Sequence, residues 1–148
     1  MSGPTPSRFE LTIGADDAEV RRASEWLEQI GAEQGIPREQ VTQLHLSLNE
    51  ALANVIRHGG PSALAQPVGV VLEVHRAREG GKAAVTISDA GIAFDPLSVE
   101  RRAPPTSLED ASPSGMGLEM IRNCSDSLFY RHEGGRNHLT FGTSWRGT

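Results

Sequence analysis

A chain of 148 residues suits one domain, and a domain of that size buries about two-thirds of the surface its unfolded form would expose. Its 37% hydrophobic and 22% charged residues fit a soluble globule, and no apolar run nears the roughly 20 residues of a membrane span, which excludes a membrane protein built on helices. A net charge of −5 without a clustered basic stretch excludes a protein that wraps nucleic acid, whose surface must neutralise phosphates.

Residues 1–7 are expected to be a flexible start, and 1–6 are small and polar with no apolar core of a signal peptide, which points to the cytoplasm. Residues 8–13 alternate apolar and polar around Phe9, Leu11 and Ile13, the period of a half-buried strand. Asp16 and Asp17 supply a cap before the helical spacing of Val20, Ala23, Trp26, Leu27 and Ile30, a helix that ends near Gly31 to Gly35. Trp26, Leu27 and Ile30 read as core, while Arg21 and Arg22 suit either a solvated face or a partner. A second helix begins at Pro37, whose missing N–H costs nothing in a first turn, and runs to about His58, stopped by Gly59-Gly60-Pro61.

Residues 68–75 and 83–88 read as a hairpin turning through Glu79-Gly80-Gly81-Lys82. Lys82 is the single lysine, which removes any phosphate loop built on a G-x-x-x-x-G-K-[ST] lysine. Residues 96–114 carry Pro104, Pro105 and Pro113 with no sustained apolar period; a connection this long is either an active-site lid or a disordered segment. A third helix covers about 115–123. The last hairpin, 127–132 and 138–143, turns at Gly134-Gly135. Cys124, the one cysteine, allows no internal disulfide or cysteine zinc site and reads as a core thiol. The order β-α-α-β-β-lid-α-β-β predicts an α+β fold in one domain, residues 1–148: a two-layer α/β sandwich with helices on one face of a mostly antiparallel mixed sheet.

The second helix is the most informative segment. Val41, Leu44, Leu48, Ala51, Leu52 and Val55 share one stripe that should pack on the sheet, whereas Glu50 and Asn54, four apart, should project together away from it. Magnesium takes oxygen ligands and keeps several waters, so an Asn amide oxygen with nucleotide phosphates can complete its shell while a neighbouring carboxylate serves as base. A solvated helix face gives the same pattern. Asp89-Ala90-Gly91-Ile92-Ala93-Phe94-Asp95-Pro96 directly follows a strand, and a carboxylate there can accept from an exocyclic amine such as that of adenine, with Gly91 allowing close backbone approach. An ordinary D-x-G turn has the same residues. Ser114-Gly115-Met116-Gly117-Leu118 opens the third helix, where free N–H groups and the helix dipole favour phosphate oxygens, although a capping turn would also use these glycines. His45, His75, His132 and His138 show no compact metal-ligand spacing.

Together and in this order, the three segments resemble the asparagine box and the two glycine boxes of the histidine-kinase-like (GHKL) ATPase superfamily, shared by sensor histidine kinases, gyrase and MutL. The stretch Glu50-Ala51-Leu52-Ala53-Asn54-Val55-Ile56-Arg57-His58-Gly59 is similar to the form in bacterial anti-sigma serine kinases, as are D-x-G-x-x-F-D-P at 89–96 and Gly115-Met116-Gly117-Leu118. The resemblance extends from the first strand to the last hairpin, including Asp126 and Gly135-Arg136-Asn137-His138-Leu139-Thr140. It implies the Bergerat ATP-binding fold with a lid at 96–114, and ATP and Mg2+ as cofactors. It implies Glu50 as general base on a protein serine or threonine and Asn54 as the magnesium ligand. Asp89 and Gly91 would meet adenine, and Ser114, Gly115, Met116, Gly117 and Leu118 would surround the phosphates. His58 joins this set, although a His at a helix C-terminus also suits the dipole. Two residues depart from the pattern: Pro113 stands where some members have an arginine, leaving a γ-phosphate contact to Arg101 or Arg102, and Asn137 stands where some have a threonine.

The resemblance thus implies an anti-sigma regulatory serine/threonine-protein kinase that sequesters a sigma factor or similar partner and phosphorylates an antagonist (anti-anti-sigma) protein. Neither nucleic acid nor membrane is a direct partner, and a homodimer is left open. The alternative is a nucleotide-binding, partner-switching module without kinase activity; Glu50 favours the enzyme, since a pure binder needs no base there. A sensor-kinase catalytic domain would follow a helical hairpin, which does not precede Phe9, and gyrase-like clamps need transducer domains that 148 residues cannot hold.

Overall fold

The computed structural model describes residues 6–93, 121–122 and 124–147. Strand β1 (Ser7–Ile13) leads into helices α1 (Asp17–Glu33), α2 (Arg38–His58) and α3 (Gly60–Ala65), and strands β2 (Val68–Ala77), β3 (Gly80–Asp89), β4 (Ser127–Glu133) and β5 (Arg136–Arg146) follow. Side-chain alternation fixes which face of each strand is buried. Val68, Val70, Leu72 and Val74 of β2 and Ala83, Val85 and Ile87 of β3 are all buried, and the residues between them are less so. The register aligns these inward sets, since Phe9 pairs with Leu72, Leu72 with Val85, and Val85 with Phe141. The strand order is β1-β2-β3-β5-β4, and every pairing among the described strands is antiparallel.

Helices α1 and α2 cover the inward face. Ala23 and Leu27 of α1 and Val41, Leu44, Leu48, Ala51 and Leu52 of α2 join the sheet residues in one core, giving the α+β sandwich expected from the sequence. Helix α1 starts where Asp16 accepts a hydrogen bond from the Glu19 amide at 2.9 Å, as an N-cap residue should. Glu19 in turn accepts from the Gly14 amide at 3.1 Å and from Arg22 at 2.7 Å, and Arg22 donates to the Thr12 carbonyl, which ties the end of β1 to α1. The Arg22 hydrogen bond, then that of Gly14, holds the Glu19 carboxyl below its ordinary range.

Helix α1 ends at Glu33, inside the expected range Gly31 to Gly35, while Gly31 itself has a packing role: a Cβ there would stand 2.8 Å from Val41, so the glycine lets α1 and α2 approach closely. Other boundaries differ from the sequence reading, each for a local reason. Gly80 and Gly81 belong to β3, with Arg78 and Glu79 forming the turn. A Cβ on Gly81 would lie 2.6 Å from the Trp145 ring, so these glycines serve the packing of β5 and not the turn. Gly59-Gly60-Pro61 ends α2 but also starts α3, with Gly60 at φ 76° redirecting the chain and Pro61 in the first turn. Gly134 and Gly135, at φ 63° and 73°, make the expected two-residue hairpin turn. Cys124 is only partly buried, not the core thiol expected from the sequence. Of that helix, residues 121, 122 and 124 are helical and Ile121 is buried; the rest of it and the expected lid at 96–114 lie outside the described residues.

Candidate nucleotide site

The C-terminal half of α2 passes over the end of β3 and forms one side of an open cleft. Ala51 and Val55 from α2, Ile87 from β3, Leu139 from β5 and Ile92 give it apolar walls. Asn54, His58, Asp89, Tyr130 and Asn137 contribute its polar groups. Apolar walls with few directional polar groups suit a flat heteroaromatic ring, which gains by burial and is oriented by one or two hydrogen bonds.

Asp89 enters the cleft because it continues the inward series of β3, two residues after Ile87. Only 7% of it is exposed. Its Oδ1 accepts from the Gly91 amide at 2.8 Å and from Asn137 Nδ2 at 3.2 Å, while its Oδ2 takes no hydrogen bond among the described residues. Gly91 has no room for a side chain: a Cβ would lie 2.7 Å from Asp89 Oδ1 and 2.8 Å from both Cα and O of Gly59. The Ile92 amide donates to the Gly59 carbonyl at 3.0 Å, so the turn after β3 is fastened under the C-terminus of α2.

Asn54 stands on the opposite wall. Its Oδ1 is buried and has no hydrogen-bond partner among the described residues. An unpartnered buried acceptor costs about 1–3 kcal/mol, and a hard cation is one ligand that would satisfy it. The side chain thus fits magnesium through its oxygen, the remaining coordination coming from phosphates and water. The sequence reading had Asn54 pointing away from the packed stripe; it instead flanks that stripe beside Ala51 and Val55, where the helix overhangs the cleft. His58 lines the same cleft from the last turn of α2. Glu50 lies one turn before Asn54, partly exposed and outside the cleft wall, with no hydrogen bond or ion pair among the described residues. Ser114, Gly115, Met116, Gly117 and Leu118, like Arg101 and Arg102, lie outside the described residues.

The structure adds two residues that the sequence reading did not connect to the site. Asn137 pairs with Asp89 across β3 and β5, and its Nδ2 also donates to the carbonyls of Gly91, at 3.3 Å, and Ile92, at 2.8 Å. Tyr130, inward-facing on β4, donates its hydroxyl to Asn137 Oδ1. The two-residue Gly134-Gly135 turn does signal that Tyr130 and Leu139 are partners. Nothing local signals that β5, and not β4, lies beside β3.

The family model of the histidine kinase-like ATPase domain matches residues 13–143, a span that includes every described polar residue of the cleft. Over 140 residues, 95% of this chain and 94% of its relative, the sequence is 32% identical to serine/threonine-protein kinase BtrW of Bordetella bronchiseptica. The fold is similar to that in the crystal structure of the RsbU and RsbW domains of Rv1364c from Mycobacterium tuberculosis, with TM-score 0.64, 17% identity and 97% of this chain covered. This chain spans about a third of that one, 34%. The SiaB-SiaC complex from Pseudomonas aeruginosa is also similar, with TM-score 0.54 and 11% identity over 93% of this chain and 89% of the other.

Proposed function

This chain belongs to the histidine kinase-like ATPase domain family, and from that premise we propose that it is a magnesium-dependent serine/threonine-protein kinase acting as an anti-sigma regulator in the cytoplasm. In this reading it sequesters a sigma factor or comparable regulatory protein and phosphorylates an antagonist protein. One observation carries the reading: among the described residues, one apolar cleft has an unpartnered amide oxygen, that of Asn54, on one wall and the half-satisfied Asp89 carboxylate on the other. Those are the two polar demands of Mg-ATP, one at its phosphates and one at its base. The name of the Bordetella relative, a serine/threonine-protein kinase, supports the choice of reaction.

The roles proposed combine the cleft's geometry with the family resemblance. Apolar side chains such as Val55, Ile87 and Leu139 would hold the adenine ring, and Asp89 would accept from its amine. Asn54 would ligate magnesium, which when bound neutralises developing charge on the phosphates. His58, at the helix end, and the Ser114-Gly115-Met116-Gly117-Leu118 segment would lie along the phosphates. Glu50, unpaired among the described residues and one turn from Asn54, would take the proton of the serine or threonine hydroxyl as its oxygen attacks the γ-phosphorus. ADP would leave with the broken β,γ-bridging oxygen.

Incubation of the protein with γ-labelled ATP, magnesium and a small antagonist-domain protein, sought first among the products of neighbouring genes, tests the reading. Label is expected on a serine or threonine of the antagonist. Binding of that protein in an ATP-dependent manner with no label transferred would instead establish a partner-switching module without kinase activity.

A further inference from the structure

Asn137 is 7% exposed, and its amide meets three oxygens at once: Asp89 Oδ1 and the carbonyls of Gly91 and Ile92. All three accept hydrogen bonds, so only the NH2 end of the amide can face them; the reverse orientation would oppose oxygen to oxygen three times. The other end, Oδ1, receives the Tyr130 hydroxyl. The three oxygens therefore fix which way the amide points, Tyr130 anchors its far end, and the amide in turn holds Asp89. With Oδ1 of Asp89 already receiving the Gly91 amide and Asn137, the carboxylate is held with Oδ2 as the acceptor left for a ligand.

We propose that Tyr130 and Asn137 form a positioning pair that sets specificity for a 6-aminopurine nucleotide by locking Asp89 as an acceptor facing the amine. This inference rests on the ATP reading above and extends it to two residues that need not touch the nucleotide. A purine with an amine at C6 donates to the locked carboxylate. A purine with a carbonyl there presents an acceptor to an acceptor and is rejected, since an unmatched buried polar pair is what gives polar sites their discrimination. Because Asn137 also joins the Gly91 and Ile92 carbonyls to β5, the pair binds the turn after β3 to the far side of the sheet.

The test compares ATP with purine riboside triphosphate, which lacks only the C6 amine, by calorimetry on wild type, Tyr130→Phe and Asn137→Leu. Tyr130→Phe keeps the ring and removes the hydroxyl. It is expected to weaken ATP by about three- to tenfold, the scale of one hydrogen bond, while purine riboside triphosphate stays within about twofold of wild type. Asn137→Leu should abolish most of the preference between the two nucleotides. Equal weakening of both nucleotides would make the pair merely structural and overturn the proposal, as would unchanged ATP affinity in Tyr130→Phe. Should wild type bind ATP but not prefer it over the analogue, the specificity role fails while the ATP reading stands; should wild type bind neither nucleotide, both fall.

Discussion

Glu50→Gln is expected to leave Mg-ATP affinity within a few-fold of wild type and to slow phosphoryl transfer by roughly 10²- to 10⁴-fold, the usual contribution of a positioned general base. Affinity should survive because Glu50 lies outside the wall of the cleft and forms no hydrogen bond or ion pair among the described residues whose loss would disturb α2. Gln preserves length and helix propensity, so packing of the buried neighbours Ala51 and Leu52 is unaffected. Single-turnover transfer from labelled ATP to the antagonist protein, with ATP affinity measured alongside, checks both halves. Equal transfer rates in wild type and variant would leave a kinase whose base is some other group.

Asn54→Ala should act oppositely, on binding. Removing Oδ1, unpartnered among the described residues, deletes the buried side-chain oxygen that α2 brings to the cleft, and Mg-ATP affinity is expected to fall at least about tenfold, equivalent to about 1.4 kcal/mol. The free protein should lose no stability with it, because truncation also removes a buried acceptor that no described residue satisfies. Thermal unfolding without nucleotide therefore gives an unchanged or higher midpoint, while the stabilisation by added Mg-ATP shrinks. A variant that unfolds more easily yet binds Mg-ATP normally would make Asn54 a structural residue.

Helices α1 and α2 and the strands were legible in the sequence because their periods were clean, whereas the short α3 was not foreseen. The alternation Val68, Val70, Leu72 and Val74 and the stripe Val41, Leu44, Leu48, Ala51 and Leu52 each bury one face, as their spacing requires. Glycines were harder to read, since the same residue serves a turn or a close approach. Gly134-Gly135 is a turn, but Gly31, Gly80 and Gly81 make room for Val41 and the β5 residues around Trp145, partners distant in the chain. The same limit applied to the site. Asp89 and Asn54 were visible from local motifs, whereas the link from Asp89 through Asn137 to Tyr130 depends on β5 pairing with β3, a long-range contact that no local pattern encodes. Asn54 was assigned the wrong side of its helix because a residue at the flank of an apolar stripe can face solvent or an overhung cleft, and only the sheet beneath α2 decides between them.

The central claim is that the cleft between α2 and β3 holds ATP through both its walls. Calorimetric titration of the wild-type protein with ATP, with magnesium and then with magnesium chelated, tests it most directly. Saturable one-site binding is expected with the metal, and affinity at least about tenfold weaker without it, since Asn54 Oδ1, an acceptor like the phosphate oxygens, can engage them only through a cation. Equal affinity in the two titrations, or no saturable heat in either, would contradict it.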